Sequence, residues 1–494
     1  MTEPGPSAIG ATAPGPAPRI GIVVVAYNAA TTLGWVLDRI PTDFRPRISS
    51  ILVSDDHSHD DTHGIGVEYQ QRGTDLPLTI VRQPHNLGYG GNQKFGYRWA
   101  IDHGLDVVVL LHGDGQYAPE LLGDVVAPIV DGRADVVLGS RMLERGRARH
   151  GGMPLYKLVG NRILTRVQNA MTGLVLSEWH SGYRAFSVGA LAAIPFETNS
   201  NGFDFDTEVL LQLHARGARV VEVPIPTYYG DEICYVDGLR YARDVTSDVL
   251  RYRLGRIGFG TPLAGTEPDG YDWKPDEGSS HSQLLAALAV RRAGRVLDLG
   301  CGTGRLGAEL RAIGNHVVGI DLHDSAEAKE RLDEFIAADL DQGLPAAVHE
   351  HGPFDHVVAG DVLEHVRQPG RLLQELHAVL ADGGAIVASI PNFGHWYPRL
   401  RVATGRFDYD ARGILDRDHV RFFTRRSFRR LAERNGWQAA ATTVTGLPFD
   451  VADRGGRAGA AARLRAGIGW LDRAAVAAWP TMFGYQFVVT LTPR

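Results

Sequence analysis

GRVLDLGCGTGRLGAEL, residues 294 to 310, is a short apolar run that reaches Asp298 and then enters a Gly-x-Gly-x-Gly turn made of Gly300, Gly302 and Gly304. A dinucleotide-binding turn spaces its glycines Gly-x-Gly-x-x-Gly and would need glycine at 305, where Arg305 stands, so the spacing argues against NAD. Outward from there, VVGIDLH ends near Asp321, seventeen residues past Gly304; IAADLD follows with Asp339, and FDHVVAGDVLEHV with Asp361 and His365. Carboxylates at the carboxyl ends of strands lie over the crevice where open α/β sheets bind ligands. A second stretch, RIGIVVVAYNAATTL from Arg19, opens in the same manner, and GFGTPLAGTEPDGYDWKPDEGSS, 258 to 280, separates the two without any periodicity. The pattern predicts a disordered tail over 1–18, a first domain over 19–257, a linker over 258–275 and a second domain over 276–494.

Bulk properties agree with two soluble-type α/β domains. The chain has 494 residues, 44% hydrophobic and 22% charged, the composition of ordinary globular protein and too long for one domain. A net charge of −6 gives no electrostatic case for nucleic acid. Cys234 and Cys301 stand far apart, so neither a disulfide framework nor zinc-ligand spacing exists. The Pro/Gly/Ala-rich start lacks a basic region and an apolar core, and no apolar run approaches the ~20 residues needed to span a bilayer; the expectation is a cytoplasmic protein. Strands are predicted at 20–26, 50–54, 78–82, 107–111 and 135–139, then at 295–299, 316–320, 335–338, 355–359 and 385–390, with a last edge strand in YQFVVTLTP. The alternation with amphipathic helices predicts mostly parallel sheets covered on both faces. An Ala/Arg-rich helix over 456–478 is expected to pack on its own domain, and a basic amphipathic helix over 238–256 to make a domain contact or a solvated face.

In the first domain, VVAYN ends the first strand and VSDDHSHDDT the second, offering Asp55 and Asp56 to a base and ribose, with Ser58, Asp60 and Thr62 as helix-cap candidates. NLGYGGNQKFGYRWAIDHG then brings Gly88, Gly90 and Gly91, which allow close backbone approach, with Lys94 placed for phosphate. HGDGQY at 112–117, GSR at 139–141, SEWHSGYRAFS from Ser177 and NGFDFDTEVLLQ from Asn201 complete the set. In this order the motifs resemble the family 2 glycosyltransferases of GT-A fold, in the branch related to dolichyl-phosphate mannose synthases. The resemblance implies that Tyr27, Asn28, Asp55, Asp56, Gly88, Lys94, Gln116 and Arg184 bind substrate. It also implies that Asp114 holds a divalent metal (Mn or Mg) on the diphosphate and that Arg141 faces anionic oxygen. The departure is His112 where the family's metal motif has its first aspartate. Imidazole is tolerated by Mn, and His180 beside Glu178 lies in the loop that closes over the diphosphate in this fold, so a relocated ligand at His180 is expected, with His112 itself as the second candidate and a packed or solvated His180 as the plain alternative. Glu178 is the general-base candidate if the acceptor is a hydroxyl; a phosphate acceptor needs no base. Asp204, Asp206 and Glu208 bind acceptor or cap a helix.

The second half resembles the class I S-adenosylmethionine-dependent methyltransferases, a Rossmann-like fold. The resemblance implies that Asp298, Gly300, Gly302 and Gly304 hold the amino-acid end of the cofactor. Asp321 would take the ribose hydroxyls and Asp339 the adenine, with Asp361 and His365 near the methyl group. The segment from Pro391, PNFGHWYPRL onward, is similar to the acceptor-side insertion of methionine-biosynthesis MetW-like methyltransferases. His365, His395 and His419 are base candidates there, and Arg399, Arg401, Arg406 and Arg421 hint at an anionic acceptor. His349, His351 and His356 read as a solvated loop. The expected whole is a bifunctional transferase. It would use a nucleotide sugar, S-adenosylmethionine and a divalent metal in consecutive steps on a glycan, lipid carrier or small-molecule acceptor. Two alternatives stand beside it: a silent nucleotide-sugar binding module joined to an active methyltransferase, or a membrane-surface polyprenyl-phosphate glycosyltransferase. Peripheral membrane contact and oligomeric state are left open.

Overall fold

The computed structural model describes residues 17–144, 146–227, 237–267, 278–448 and 460–494. The chain divides into two compact units whose main changeover falls between Val249 and Leu250, with Ala170–Leu174 also grouped with the second. Residues 1–16 of the expected tail and 268–277 of the expected linker region lie outside the described residues. The earlier part of that linker is folded: Leu250–Leu263 group with the second unit and Ala264–Thr266 with the first. Ile257 and Phe259 are buried with Ile414 and Tyr485, a pair of apolar residues that the surrounding Gly and Pro conceal in the sequence.

The first unit is built on a seven-stranded sheet in the order β3-β2-β1-β4-β6-β5-β7. Its strands are β1 Ile20–Ala26, β2 Ile48–Asp55, β3 Leu78–Arg82, β4 Val107–His112, β5 Val136–Ser140, β6 Arg184–Ser187 and β7 Val220–Pro224. Every residue of β1 is buried, as expected for an unbroken β-branched strand covered on both faces. β1 pairs in parallel with β2 and β4, so Ile22 lies beside Ile51 and Val109. β6 runs antiparallel to β4 and β5, which makes the sheet mixed. Neither β6 nor β7 follows from periodicity: β6 has four residues, and β7 is half-buried throughout, so its apolar pattern is no stronger than a loop's. The helix Tyr89–Asp102 lies on β1 through Gly96, where a Cβ would come 2.4 Å from Val23 Cγ1.

The second sheet has the order β10-β9-β8-β11-β12-β14-β13. Here β8 is Arg295–Leu299, β9 His316–Asp321, β10 Glu334–Ala337, β11 Phe354–Gly360, β12 Leu380–Pro391, β13 Trp437–Thr445 and β14 Gln486–Pro493. β8 to β12 are parallel, and β14 enters antiparallel between β12 and β13. β14 is therefore an inner strand, and the edge belongs to β13, whose run of alanines hides it from pattern analysis. The helix Gly238–Arg256 buries Val245, Val249 and Tyr252. The Ala460–Ala478 helix, expected to pack on its own domain, meets it where Asp472 accepts from the Leu447 amide at 3.1 Å, and leaves Trp470 and Leu471 exposed.

Gly96→Ala should destabilise the first unit by about 1–3 kcal/mol, because the added carbon overpacks Val23. Gly34→Ala is the control, with no atom within 4 Å of its Cβ position. Denaturant unfolding that showed equal midpoints for the two variants would contradict the packing of this helix on β1.

Candidate active sites

At the carboxyl ends of β1 and β2 two loops are laced together. Asn28 takes a left-handed conformation, φ 51°; its amide donates to Ser58 Oγ at 2.9 Å and its Oδ1 accepts from the His59 amide at 2.9 Å. Thr62 Oγ1 accepts from the Ala29 amide at 2.7 Å, and Asp60 Oδ2 from the Ala30 amide at 3.0 Å. Ser58, Asp60 and Thr62 thus tie the first loop to the second, and the following helix has Asp61 as its N-cap with no side-chain cap bond. Asp55 and Asp56 are both buried. Asp55 Oδ1 accepts from the Ser58 amide, while its Oδ2 accepts no hydrogen bond from the described residues and lies 3.6 Å from Arg82 Nε. Asp56 accepts from the Leu87 amide at 2.7 Å; burial raises its carboxyl above the usual range despite that bond.

The glycine turn after β3 serves a neighbouring loop. A Cβ on Gly88, φ 80°, would lie 2.7 Å from the Asn201 carbonyl oxygen, and one on Gly90 would lie 2.6 Å from that of Ser200. Lys94 Nζ donates to the Asn199 carbonyl and to Asn201 Oδ1. The ammonium of Lys94, placed for phosphate by the sequence pattern, seats the 199–201 loop through two of its three donors. Arg184 is engaged in the same way. It is fully buried, and its Nε, Nη1 and Nη2 donate to the Ser181, Asp206 and Trp179 carbonyls at 2.8 to 2.9 Å. It pins the 179–181 loop through three of its five N–H donors.

β4 delivers His112 and Asp114. Asp114 is exposed, and its Oδ1 accepts from the Gln116 amide at 2.9 Å. His112 packs edge-on to Tyr89 and Tyr117, and a Cβ on Gly182 would lie 2.7 Å from its ring; the glycine of SGYR is required by that approach. Burial lowers the His112 pKa against the opposing charges of Asp114 and Asp206. His180 stands elsewhere: its Nδ1 meets the Tyr241 hydroxyl at 2.7 Å, burial lowers its pKa to about 4, and the charges acting on it are Glu178, Arg141 and Arg184. Asp114 is among the charges acting on His112.

Glu178 is fully buried and Arg141 nearly so. The glutamate accepts from the Arg141 amide at 2.7 Å, from Arg141 Nε at 3.0 Å and Nη2, and from Asn161 Nδ2 at 2.8 Å. Burial alone would raise its carboxyl, but the Arg141 charge and these bonds outweigh that and hold it below the ordinary range. A carboxylate so occupied is a poor proton acceptor; the contacts of Glu178, the expected general base, brace Arg141. Glu222 on β7, invisible to motif analysis, holds the same loop by accepting from the Ser177 and Glu178 amides.

In the second unit the three turn glycines all have positive φ, between 54° and 75°. Cys301 between them is buried, and burial pushes its thiol well up. Asp298 lies under the turn; its Oδ2 accepts no hydrogen bond from the described residues, and burial, then Asp321, push its pKa up to about 7. Asp321 Oδ2 accepts from the Gly302 amide at 2.8 Å and closes the turn against β9. Asp339 caps a short turn by accepting from the Asp341 amide. Asp361, φ 56°, accepts from Ser389 Oγ and Gln486 Nε2, so β12 and β14 fix its direction. His365 meets the Asp418 carbonyl and lies 4.8 Å from the His419 ring. His395 is the N-cap of the helix Trp396–Ala403. Arg399 donates to Gly394, Arg401 pairs with Asp410, and Arg421 donates to Arg367; three of the four arginines expected to face an acceptor are spent inside the protein.

A sheet with sugar-nucleotide motifs at its strand ends and a second sheet with a glycine turn over a buried aspartate define a two-domain transferase. The model for "Glycosyl transferase family 2" matches residues 21–194, and that for "Methyltransferase domain" matches 279–442. An undecaprenyl-phosphate mannosyltransferase of Micrococcus luteus is 30% identical over 209 residues, covering 42% of this chain and 82% of that one. A UDP-N-acetylglucosamine–dolichyl-phosphate N-acetylglucosaminyltransferase of Methanococcus voltae is 27% identical over 220 residues, covering 42% and 86%. A ubiquinone biosynthesis O-methyltransferase of Paraburkholderia xenovorans is 32% identical over 102 residues, covering 20% and 44%. The chain belongs to the family 2 glycosyltransferases and carries a methyltransferase domain fused behind that domain.

Glu178→Ala should cost about 3–5 kcal/mol, since it leaves the buried Arg141 charge unpaired; an unchanged thermal midpoint would contradict the clamp. Asp298 generates a pH-dependent prediction. Its native pKa stands above the unfolded value, so between pH 4 and 7 the folded state keeps a proton that the unfolded chain releases. Its contribution to stability therefore falls as pH rises through that window. Asp298→Asn should gain about 2–4 kcal/mol relative to wild type between pH 4.5 and 7.5, read by denaturant unfolding at the two pH values. Parallel pH profiles would refute it.

Proposed function

We propose that the first domain transfers a sugar from a nucleotide-diphosphate donor, with inversion, to a polyprenyl-phosphate acceptor at a membrane surface, and that the second domain methylates an oxygen from S-adenosylmethionine. The observation that carries the acceptor class is the helix Leu155–Thr172, which is apolar on its outside. Its inner face is mostly polar, with Leu158 packed on Met153 as the apolar exception: Asn161 donates to Glu178, Thr165 to Asn161, and Asn169 holds both the Leu176 carbonyl and Trp179 Nε1. Outward stand Leu155, 60% exposed, Tyr156, 74%, Val159, 52%, and Ile163, 53%. A soluble helix presents the reverse, and an apolar exposed stripe of this kind marks an interaction surface. Between Glu144 and Glu178 the sequence has Arg145, Arg147, Arg149, Lys157, Arg162 and Arg166 and no acid. In a chain of net charge −6, this local excess of cations suits anionic lipid. No helix among the described residues is long and apolar enough to cross a membrane, and the exposed apolar stripe beside cations suits contact with a membrane surface. The burial of Glu178 agrees, because a phosphate nucleophile is already ionised and needs no base.

A divalent metal fits beside β4 through Asp114, whose exposed carboxylate follows the strand end. When bound, the metal would neutralise the leaving diphosphate. The chain's own contributions are to hold the nucleoside at Asp55 and Asp56, to shape the donor pocket with Tyr27, Asn28 and Gln116, and to present Arg141, braced by Glu178, to anionic oxygen. In the second domain Asp298 would face the cofactor's ammonium, Asp321 its ribose and Asp339 its adenine, and Asp361 is locked by β12 and β14 beside the methyl position. Bound S-adenosylmethionine supplies the electrophilic methyl group.

Asp114→Asn should abolish donor turnover without loss of fold, whereas His180→Ala should leave the metal requirement unchanged. Full-length protein should sediment with phosphatidylglycerol vesicles and about tenfold less with neutral phosphatidylcholine, since each basic residue near an anionic surface contributes about 1 kcal/mol. Ile163→Gln combined with Arg166→Gln should reduce vesicle binding while leaving donor hydrolysis in solution intact. Equal sedimentation of wild type and variant would overturn the lipid-acceptor assignment.

A further inference from the structure

Beside Asp361, and outside the set of cofactor-binding residues, Glu364, His365 and His419 bring one ligand atom each within 4.8 Å of one another. Glu364 and His365 follow β11, and His419 arrives on the loop between the helix Trp396–Ala403 and the helix Arg425–Arg434. Two bonds fasten that loop to the motif, from the Val420 and Arg421 amides to the Glu364 carbonyl at 3.0 and 2.9 Å. Arg421 adds its guanidinium on the Arg367 carbonyl. Both imidazoles are oriented from behind: His365 Nδ1 meets the Asp418 carbonyl at 3.0 Å and His419 Nδ1 the Ile414 carbonyl at 3.3 Å. A carbonyl accepts only from N–H, so each ring donates from Nδ1, and in a neutral imidazole that tautomer has its lone pair on Nε2. His419 Nε2 lies 4.0 Å from Glu364 Oε1. Both imidazoles are fixed through one nitrogen by a backbone carbonyl, and His419 turns its other nitrogen toward Glu364, an arrangement that metal-ligating histidines adopt.

We infer that Glu364, His365 and His419 form a divalent-metal site in the methyltransferase domain and that the metal binds the acceptor's hydroxyl oxygen. Two imidazoles and one carboxylate suit Mn, Fe, Co or Zn rather than Ca. Three protein ligands leave positions open for acceptor oxygen. A metal-bound hydroxyl loses its proton to solvent more readily; its oxygen then forms the O–CH3 bond as the S–CH3 bond of S-adenosylmethionine breaks, releasing S-adenosylhomocysteine. The acceptor class is a hydroxyl compound, and a sugar hydroxyl meets that requirement. The catalytic part of this inference rests on the methyltransferase assignment; the binding part does not.

The test uses full-length protein stripped with chelator and titrated with MnCl2, free Mn being read by its paramagnetic resonance signal. His365→Ala, at an exposed position, should weaken one Mn site by about tenfold or more. His419→Ala should do the same, and Asp114→Asn should leave that site untouched. S-adenosylhomocysteine binding, measured calorimetrically on each variant, reports an intact fold. Wild-type Mn binding that is unchanged in His365→Ala overturns the site. If wild type binds S-adenosylhomocysteine but no Mn here, the site falls and the methyltransferase assignment stands. Mn binding that His365→Ala weakens, in a protein that binds no S-adenosylhomocysteine, upholds the site and overturns its catalytic role.

Discussion

β1 bonds in parallel to β2 and β4, and β8 bonds in parallel to β9 and β11. Once a strand is paired on both sides and covered on both faces, its backbone groups and side chains are all consumed by the sheet. Polar chemistry can then emerge only where the pairing stops. In both units it stops at the carboxyl ends, and Asp55, Asp114, Asp321 and Asp361 all stand at or just beyond those ends. Reversing any central strand would carry its acid to the opposite edge and dismantle the site without altering the composition of the core.

The same rule explains what the sequence disclosed. Long β-branched runs such as IGIVVVA and the acid that follows each strand are local signals, and they locate both domains and the strand-end carboxylates. What stays hidden depends on contacts between distant residues. Nothing near Lys94 announces that Asn199 and Asn201 will occupy its ammonium. Nothing near Glu178 announces Arg141, Asn161 and Glu222. β6 is too short, β7 too uniformly half-buried and β13 too rich in alanine to show a period of two. The lone signal for the Arg141–Glu178 clamp is the recurrence of an acid and a base in two motifs already linked by family resemblance, and by itself it points to catalysis rather than support.

The two units manage buried charge differently. In the first, Glu178 is matched by a guanidinium and an amide, so its charge is retained and becomes a rigid mount for Arg141. In the second, Asp298 is buried with little to offset it, and it holds its proton nearly to neutrality. An unmatched buried acid under a glycine turn is costly in the empty protein. It would become favourable once a cation settled over it, as the proposed role of Asp298 toward the cofactor's ammonium requires.

Cys301 sits in that turn with its sulfur hemmed in by the chain: a Cβ on Gly319 would lie 2.8 Å from Sγ. A thiol kept protonated and covered reacts slowly with alkylating reagents. Its labelling rate is therefore a clock for how often the glycine turn opens. With Cys234 replaced by serine, that clock would run on one sulfur alone, and occupancy of the cofactor pocket could be timed without following methyl transfer at all.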